Sequence, residues 1–142
     1  MRAAGAWWCQ VTPRRALVLG GDDPRTVVEE AAAGASGFTS VVDLTSVHAA
    51  LTVVGPLARE LFARFCALDL RAASAPVHAF RPGSVARTPG AVLREDEDRF
   101  LVLVGWAYGQ YIWTVVADAA AHLGGGPVGV DALVPLEEPQ HA

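Results

Sequence analysis

The chain of 142 residues contains no lysine and no asparagine. Without lysine there is no Schiff-base nucleophile, and no P-loop can be completed. Charge is also sparse. Only 18% of residues are charged, against about 25% in ordinary soluble domains, while 52% are hydrophobic. Part of the apolar surface is therefore expected to meet a partner. No apolar run reaches the roughly 18 residues of a membrane helix, and MRAAGAWWCQ has no signal-peptide core, so the reading is of a cytoplasmic protein. A net charge of −4 argues against nucleic acid. The two cysteines, Cys9 and Cys66, are far apart and outside metal-type spacing, and are expected as buried free thiols.

Along the chain, AWWCQV (6–11) and ALVL (16–19) read as strands around a Pro13 turn. Asp22 or Asp23, then Pro24, opens a helix that Gly34 ends. TSVVDL (39–44) and AALTVV (49–54) read as strands. After Gly55-Pro56, Leu57, Leu61, Phe62, Phe65 and Leu68 fall at helical spacing, with Glu60 and Arg64 as an i,i+4 pair on the other face. Residues 71–83 read as a connection. SVART (84–88), GAVLR (90–94) and RFLVLV (99–104) have strand character. A helix runs from about Ala107 to Leu123, and VGVDALVPL (128–136) reads as a final strand before a polar tail, 137–142. The order implies one α+β domain over 1–136, with antiparallel sheets and packed helices.

Several motifs resist a chemical reading. GGGPVG (124–129) matches G-x-G-x-x-G but follows a helix, where a dinucleotide fingerprint must follow a strand and open a helix. It reads as a helix stop. His48, His78 and His122 share no metal-ligand spacing, and Ser40, Ser46 and Ser84 lack a nucleophile elbow. The charged run Arg94–Arg99 contains four acids, Glu95 to Asp98, between two strands. It reads as a wet hairpin tip, because general acid/base work near neutrality needs a desolvated carboxyl beside a substrate. Trp7, Trp8, Trp106 and Trp113 fit either a core or a partner interface.

VVDLTSVHAALTVVGPLARELFARFCALDL (41–70) resembles the opening segment of glycine-cleavage T-protein-like, folate-binding domains. Asp43, Gly55, Pro56, Asp69 and Leu70 stand at the matching places. RPGSVART (81–88) and EDRFLVLVGWAYGQYIWTVVADAA (97–120) resemble the family's next segments, so that the likeness spans about residues 40–122. CALDL, PGSVART and the direct passage to a short acidic turn are most similar to the gamma, or small, subunit of heterotetrameric sarcosine oxidase.

The resemblance implies a single half of the T-protein-like fold. It also implies larger partner subunits carrying FAD, FMN, NAD and tetrahydrofolate, none of them held by this chain alone. The segment bearing the family's paired acids is missing, so no catalytic role passes to Asp96 or Asp98. The lysine- and cysteine-containing signature of the iron–sulfur-repair branch is absent too. Three functions remain open: a non-catalytic subunit of a sarcosine oxidase-like complex that demethylates an N-methyl amine, a stand-alone folate-type binding module or small one-carbon enzyme, and a self-associating structural protein. Arg87, Trp106 and Tyr108 are the candidate ligand-binding residues. Trp7, Trp8 and Trp113 are the candidate interface residues.

Overall fold

The structure, a computed structural model, describes residues 1–3, 5–20 and 23–133. A small antiparallel meander comes first: β1 (Arg2–Ala3), β2 (Ala6–Thr12) and β3 (Arg15–Leu19), in spatial order β1-β2-β3. Helix α1 (Pro24–Ala33) follows. Its cap is Asp23, whose Oδ1 accepts the Thr26 N–H at 3.1 Å, with Pro24 in the first turn as expected.

The main sheet contains β4 (His48–Val54), β5 (Phe80–Val85), β6 (Thr88–Asp96) and β7 (Arg99–Gly105), ordered β4-β7-β6-β5 and antiparallel throughout. Helices α2 (Ala58–Ala63) and α3 (Gly109–Ala121) complete the frame. The class is α+β with antiparallel sheets, as the element order implied.

Strand alternation divides the core in two. Phe100, Val102 and Val104 of β7 face the helices with Val53 and Val92, and there they meet Phe62 of α2 and Ile112 of α3. Leu93 and Leu101 face the other way and pack with Phe80 against Trp7, Cys9, Leu17 and Leu19 of the meander. The main sheet is thus the middle of three layers.

Tertiary contacts overrode several local expectations. Residues 39–44 form no strand: among the described residues no strand pairs with them, and the Asp43 carboxylate accepts the Thr45 N–H at 2.9 Å, turning the chain instead. The helix expected across 56–68 stops at Ala63, because the following chain is drawn onto β5: Cys66 bridges Val85, and Ala86 N–H donates to Phe65 O at 3.1 Å. Leu57, at the N-cap rather than inside the helix, is exposed, and Glu60 and Arg64 do not pair. Arg59 approaches Asp98 at 3.9 Å instead. The connection 71–83 yields its last residues to β5, and SVART is no single strand, since Ala86 and Arg87 form the two-residue turn between β5 and β6. Both have positive φ, +47° and +65°, the type I′ requirement that closes a twisted hairpin.

The helix stop at 124–129 stands as read. Gly124 adopts φ +79°, its N–H donates to Ala121 O, and Gly125 N–H donates to Ala120 O, a Schellman closure. No strand begins at 128. Val130–Ala132 form a 3-10 turn, and the rest of the expected strand and the tail 137–142 lie outside the described residues.

Candidate interaction surface

Strand β7 ends at Gly105, and the chain turns through a 3-10 segment, Trp106–Tyr108, into α3. Trp106 N–H donates to Val47 O at 2.9 Å, which fixes the turn to the start of β4. At Gly109 a side chain would meet the Ala49 methyl at 3.0 Å, so glycine lets the first turn of α3 lie directly on β4. Ile112 then fills the core, and its neighbours on the helix turn outward.

The outward set is aromatic. Trp106 is 71% exposed and Trp113 45%, with Tyr108 and Tyr111 also exposed. From Gly105 to Ala117 the sequence carries no charged residue, and Asp118 is the first. A helix face in water ordinarily carries charge opposite its apolar stripe. An uncharged, tryptophan-bearing face has the composition of an interface core. On the other flank of Ile112, the Tyr111 hydroxyl donates to Ala86 O at 3.2 Å, tying α3 to the β5–β6 turn where Arg87 is exposed.

Arg87, Trp106 and Tyr108 therefore lie at one end of the main sheet, all accessible, although Arg87 stands in a turn rather than a strand. Trp113 is exposed about one turn into α3. Trp7 is placed differently. It is buried between the sheets, edge-on to His78 at 5.0 Å between ring centroids, with the Arg2 guanidinium 5.4 Å from its centroid. Trp8 is half-buried, and its Nε1 is enclosed without an acceptor among the described residues.

The charged run divides as well. Asp96 and Glu97 are exposed, as the hairpin reading required. Arg94 is 4% exposed. It donates to Ala75 O at 2.9 Å and to Glu97 O at 2.9 Å, and its Cζ lies 5.8 Å from the Phe100 ring centroid. Glu95 pairs with Arg99 at 3.1 Å, both largely covered. The tip is thus wet at Asp96 and Glu97, whereas Arg94 holds it down.

Asp69 accepts two guanidinium bonds from Arg71, at 2.8 and 2.7 Å, and the Ser74 hydroxyl at 2.6 Å. These bonds hold its carboxyl far below the ordinary aspartate range. Its role is to staple an exposed turn. Burial pushes the Cys9 thiol up to about 11, which opposes thiolate formation. Cys66 is only half-buried, and its thiol is raised for the same reason. Among the described residues no group of three His, Cys, Asp or Glu side chains could hold a metal ion. No described helix is long and apolar enough to cross a membrane.

A cleft escaped the sequence reading. Between β3, α1, residues 40–45 and the meander-side face of β4 lies a cleft of about 630 Å³. Leu17, Leu19, Val28, Val41, Leu44 and Leu103 supply its apolar wall, and the Arg25–Glu29 pair, Asp43 and His48 its polar rim. Reading 39–44 as a paired strand hid it. The one local sign was Asp43 preceding Thr45, an Asx turn able to release the backbone from a sheet.

No family model and no curated protein sequence matches this chain. Its fold is similar to a chain of the heterotetrameric sarcosine oxidase from Corynebacterium sp. U-96, solved in complex with pyrrole 2-carboxylate. The TM-score is 0.73 at 20% sequence identity, over 89% of this chain and 65% of that one. The present chain thus spans just under two thirds of its neighbour's length, and the likeness is one of fold.

Proposed function

We propose that this chain is a non-catalytic small subunit, gamma-like, of a heteromeric sarcosine oxidase-like complex that oxidatively demethylates an N-methyl amine. The observation that carries the reading is the uncharged aromatic face of α3, borne on a fold shared with a chain of such an assembly. That face would dock a larger subunit, with Trp106 and Trp113 as anchors. FAD, FMN, NAD and tetrahydrofolate belong, in this reading, to the partner subunits. In this chain the one glycine-rich motif is consumed in ending α3, and the carboxylates of the charged run cap a hairpin. The chain therefore contributes surface and leaves the redox chemistry to its companions.

The test is co-expression with the larger subunits of a sarcosine oxidase-like complex, one of them tagged. The expected result is stoichiometric copurification, lost in the double variant Trp106→Ala, Trp113→Ala while the variant alone keeps its circular dichroism spectrum. A complex that forms and oxidises N-methyl amines at full rate without this chain would overturn the proposal.

A second reading draws on the position of Arg87, Trp106 and Tyr108 at one sheet end. A guanidinium and two exposed rings at the same sheet end suit a ligand with a carboxylate and a flat heterocycle, such as a folate. Titration calorimetry with tetrahydrofolate decides it. Binding that Arg87→Ala abolishes favours the ligand module, and absence of heat at high micromolar concentration removes it.

A further inference from the structure

The cleft between β3, α1 and residues 40–45 is an incompletely filled apolar space. Leu17 and Leu19 of β3, Val28 of α1 and Leu44 line it, and each is only half-buried. Helix α1 has no fully buried residue. At about 630 Å³ the space falls within the range of about 300–1,000 Å³ found for small-molecule sites. Charge in its lining is unequal. Leaving His48 aside, the lining carries two acids, Glu29 and Asp43, and one base, Arg25. Arg25 is committed to Glu29, Nε to Oε1 at 2.8 Å. Asp43 forms no ion pair among the described residues. Its Oδ1 accepts the Thr45 N–H, which favours the ionised carboxylate, and the pull of Arg25 is the weakest influence on it. The uncompensated charge of the cleft is therefore that of Asp43.

We infer that the cleft binds a small organic cation, an amine whose apolar body fills the space between Leu17, Leu19, Val28 and Leu44 and whose ammonium group meets the Asp43 carboxylate. The apolar walls supply affinity through ligand surface removed from water, and the carboxylate selects the sign of the charge. An organic acid of the same shape would bring its charge against Asp43, and would have to displace Glu29 to reach Arg25. An uncharged ligand would gain the burial without the ion pair. His48, half-buried in the lining, makes no side-chain hydrogen bond among the described residues, and its ring adds a place for a second polar group on the ligand. The cleft reaches the meander side of the main sheet at Ala50 and Leu103, whereas α3 packs on the opposite side. The inference therefore does not rest on the proposed oxidase role.

Amide NMR of the purified full chain, titrated at low salt with phenethylamine, 2-phenylethanol and 3-phenylpropionate, tests it. The three probes have nearly one shape and are cationic, neutral and anionic. Phenethylamine is expected to shift the amides of residues 17–19, 28 and 41–48 with a Kd of about 1 mM or tighter. The alcohol should bind about three- to fivefold more weakly, the scale of an accessible ion pair, and the carboxylate more weakly still. Asp43→Asn keeps the oxygen that accepts the Thr45 N–H and should bring the amine down to the level of the alcohol. Arg25→Ala, at an exposed position of α1, frees Glu29 and should tighten amine binding, an effect that salt removes. The comparison of the three probes on the wild-type chain stands even where a variant fails to fold. Absence of shifts in these residues at about 10 mM phenethylamine overturns the inference. Equal binding of the three probes overturns it too, as does an Asp43→Asn chain that binds the amine like wild type. Copurification with oxidase subunits, by contrast, bears only on the docking proposal.

Discussion

The Arg94 guanidinium donates to Ala75 O at 2.9 Å inside the protein, joining the β6–β7 hairpin to the connection that precedes β5. Its remaining contacts are the carbonyls of Asp96 and Glu97 and the face of Phe100. A charge buried this way is held by oriented carbonyl dipoles rather than by a carboxylate. Arg94→Leu would leave those carbonyls bare in a covered site, at a cost of about 3 kcal/mol in urea unfolding. Asp96→Ser and Glu97→Ser, on the exposed tip, should each fall within about 0.5 kcal/mol. Equal effects at all three positions would refute the division of the run into anchor and tip.

Phe62 is buried between Phe65 and Phe100, with ring centroids at 5.7 and 5.4 Å. Phe62→Ala should cost about 3–5 kcal/mol. Phe65, only half-buried where the chain leaves α2, should cost roughly half as much because its site is already partly wet. Chemical denaturation of the two variants gives the ratio directly.

At the β5–β6 turn Arg87 has φ +65°, a conformation that costs an L-residue roughly 1–2 kcal/mol and glycine almost nothing. Arg87→Gly should therefore stabilise the chain, by about 1 kcal/mol in thermal or urea unfolding. If that gain comes with lost folate-type binding or lost partner affinity, the strained arginine is retained for recognition.

Asp69 titrates far below its unfolded-state value because Arg71 and Ser74 bond its charged form. The stabilisation is present above the unfolded aspartate value, near pH 3.8, and fades as pH falls below it toward the depressed folded value. Asp69→Asn should thus lower stability modestly at neutral pH, leave it little changed in acid where the carboxyl is protonated, and so flatten the acid limb of the stability profile. An unaltered acid limb would show that the turn contributes nothing to acid resistance.

Cys9 responds in the opposite direction. Burial favours its neutral thiol, and its folded value of about 11 lies above the reference 9.0. Its contribution is complete below pH 9 and is lost as pH rises toward 11. In the native chain at neutral pH, iodoacetamide should label Cys66 before Cys9, because Cys66 is only half-covered. Rapid labelling of Cys9 would mean that the meander opens readily.

Sequence periodicity alone determined the α+β class, the apolar strand β7, the capped helix α1 and the helix stop at Gly124. In each case the decisive signal lies within a few residues: alternation, an Asp-Pro cap, a glycine free to turn left-handed. Tertiary structure decided what covers each element. Trp7 and Trp113 are the same residue type on regular elements, yet one is sealed by the second sheet and the other faces solvent. Arg94 lies in a charged run whose local pattern says surface, and only the return of the chain at Ala75 brings the carbonyl that lets it be buried. Residues 39–44 have strand propensity, but among the described residues no neighbouring strand completes their hydrogen bonds, and a cleft lies beside them. Covering and pairing depend on residues distant in the chain, which a local pattern does not carry.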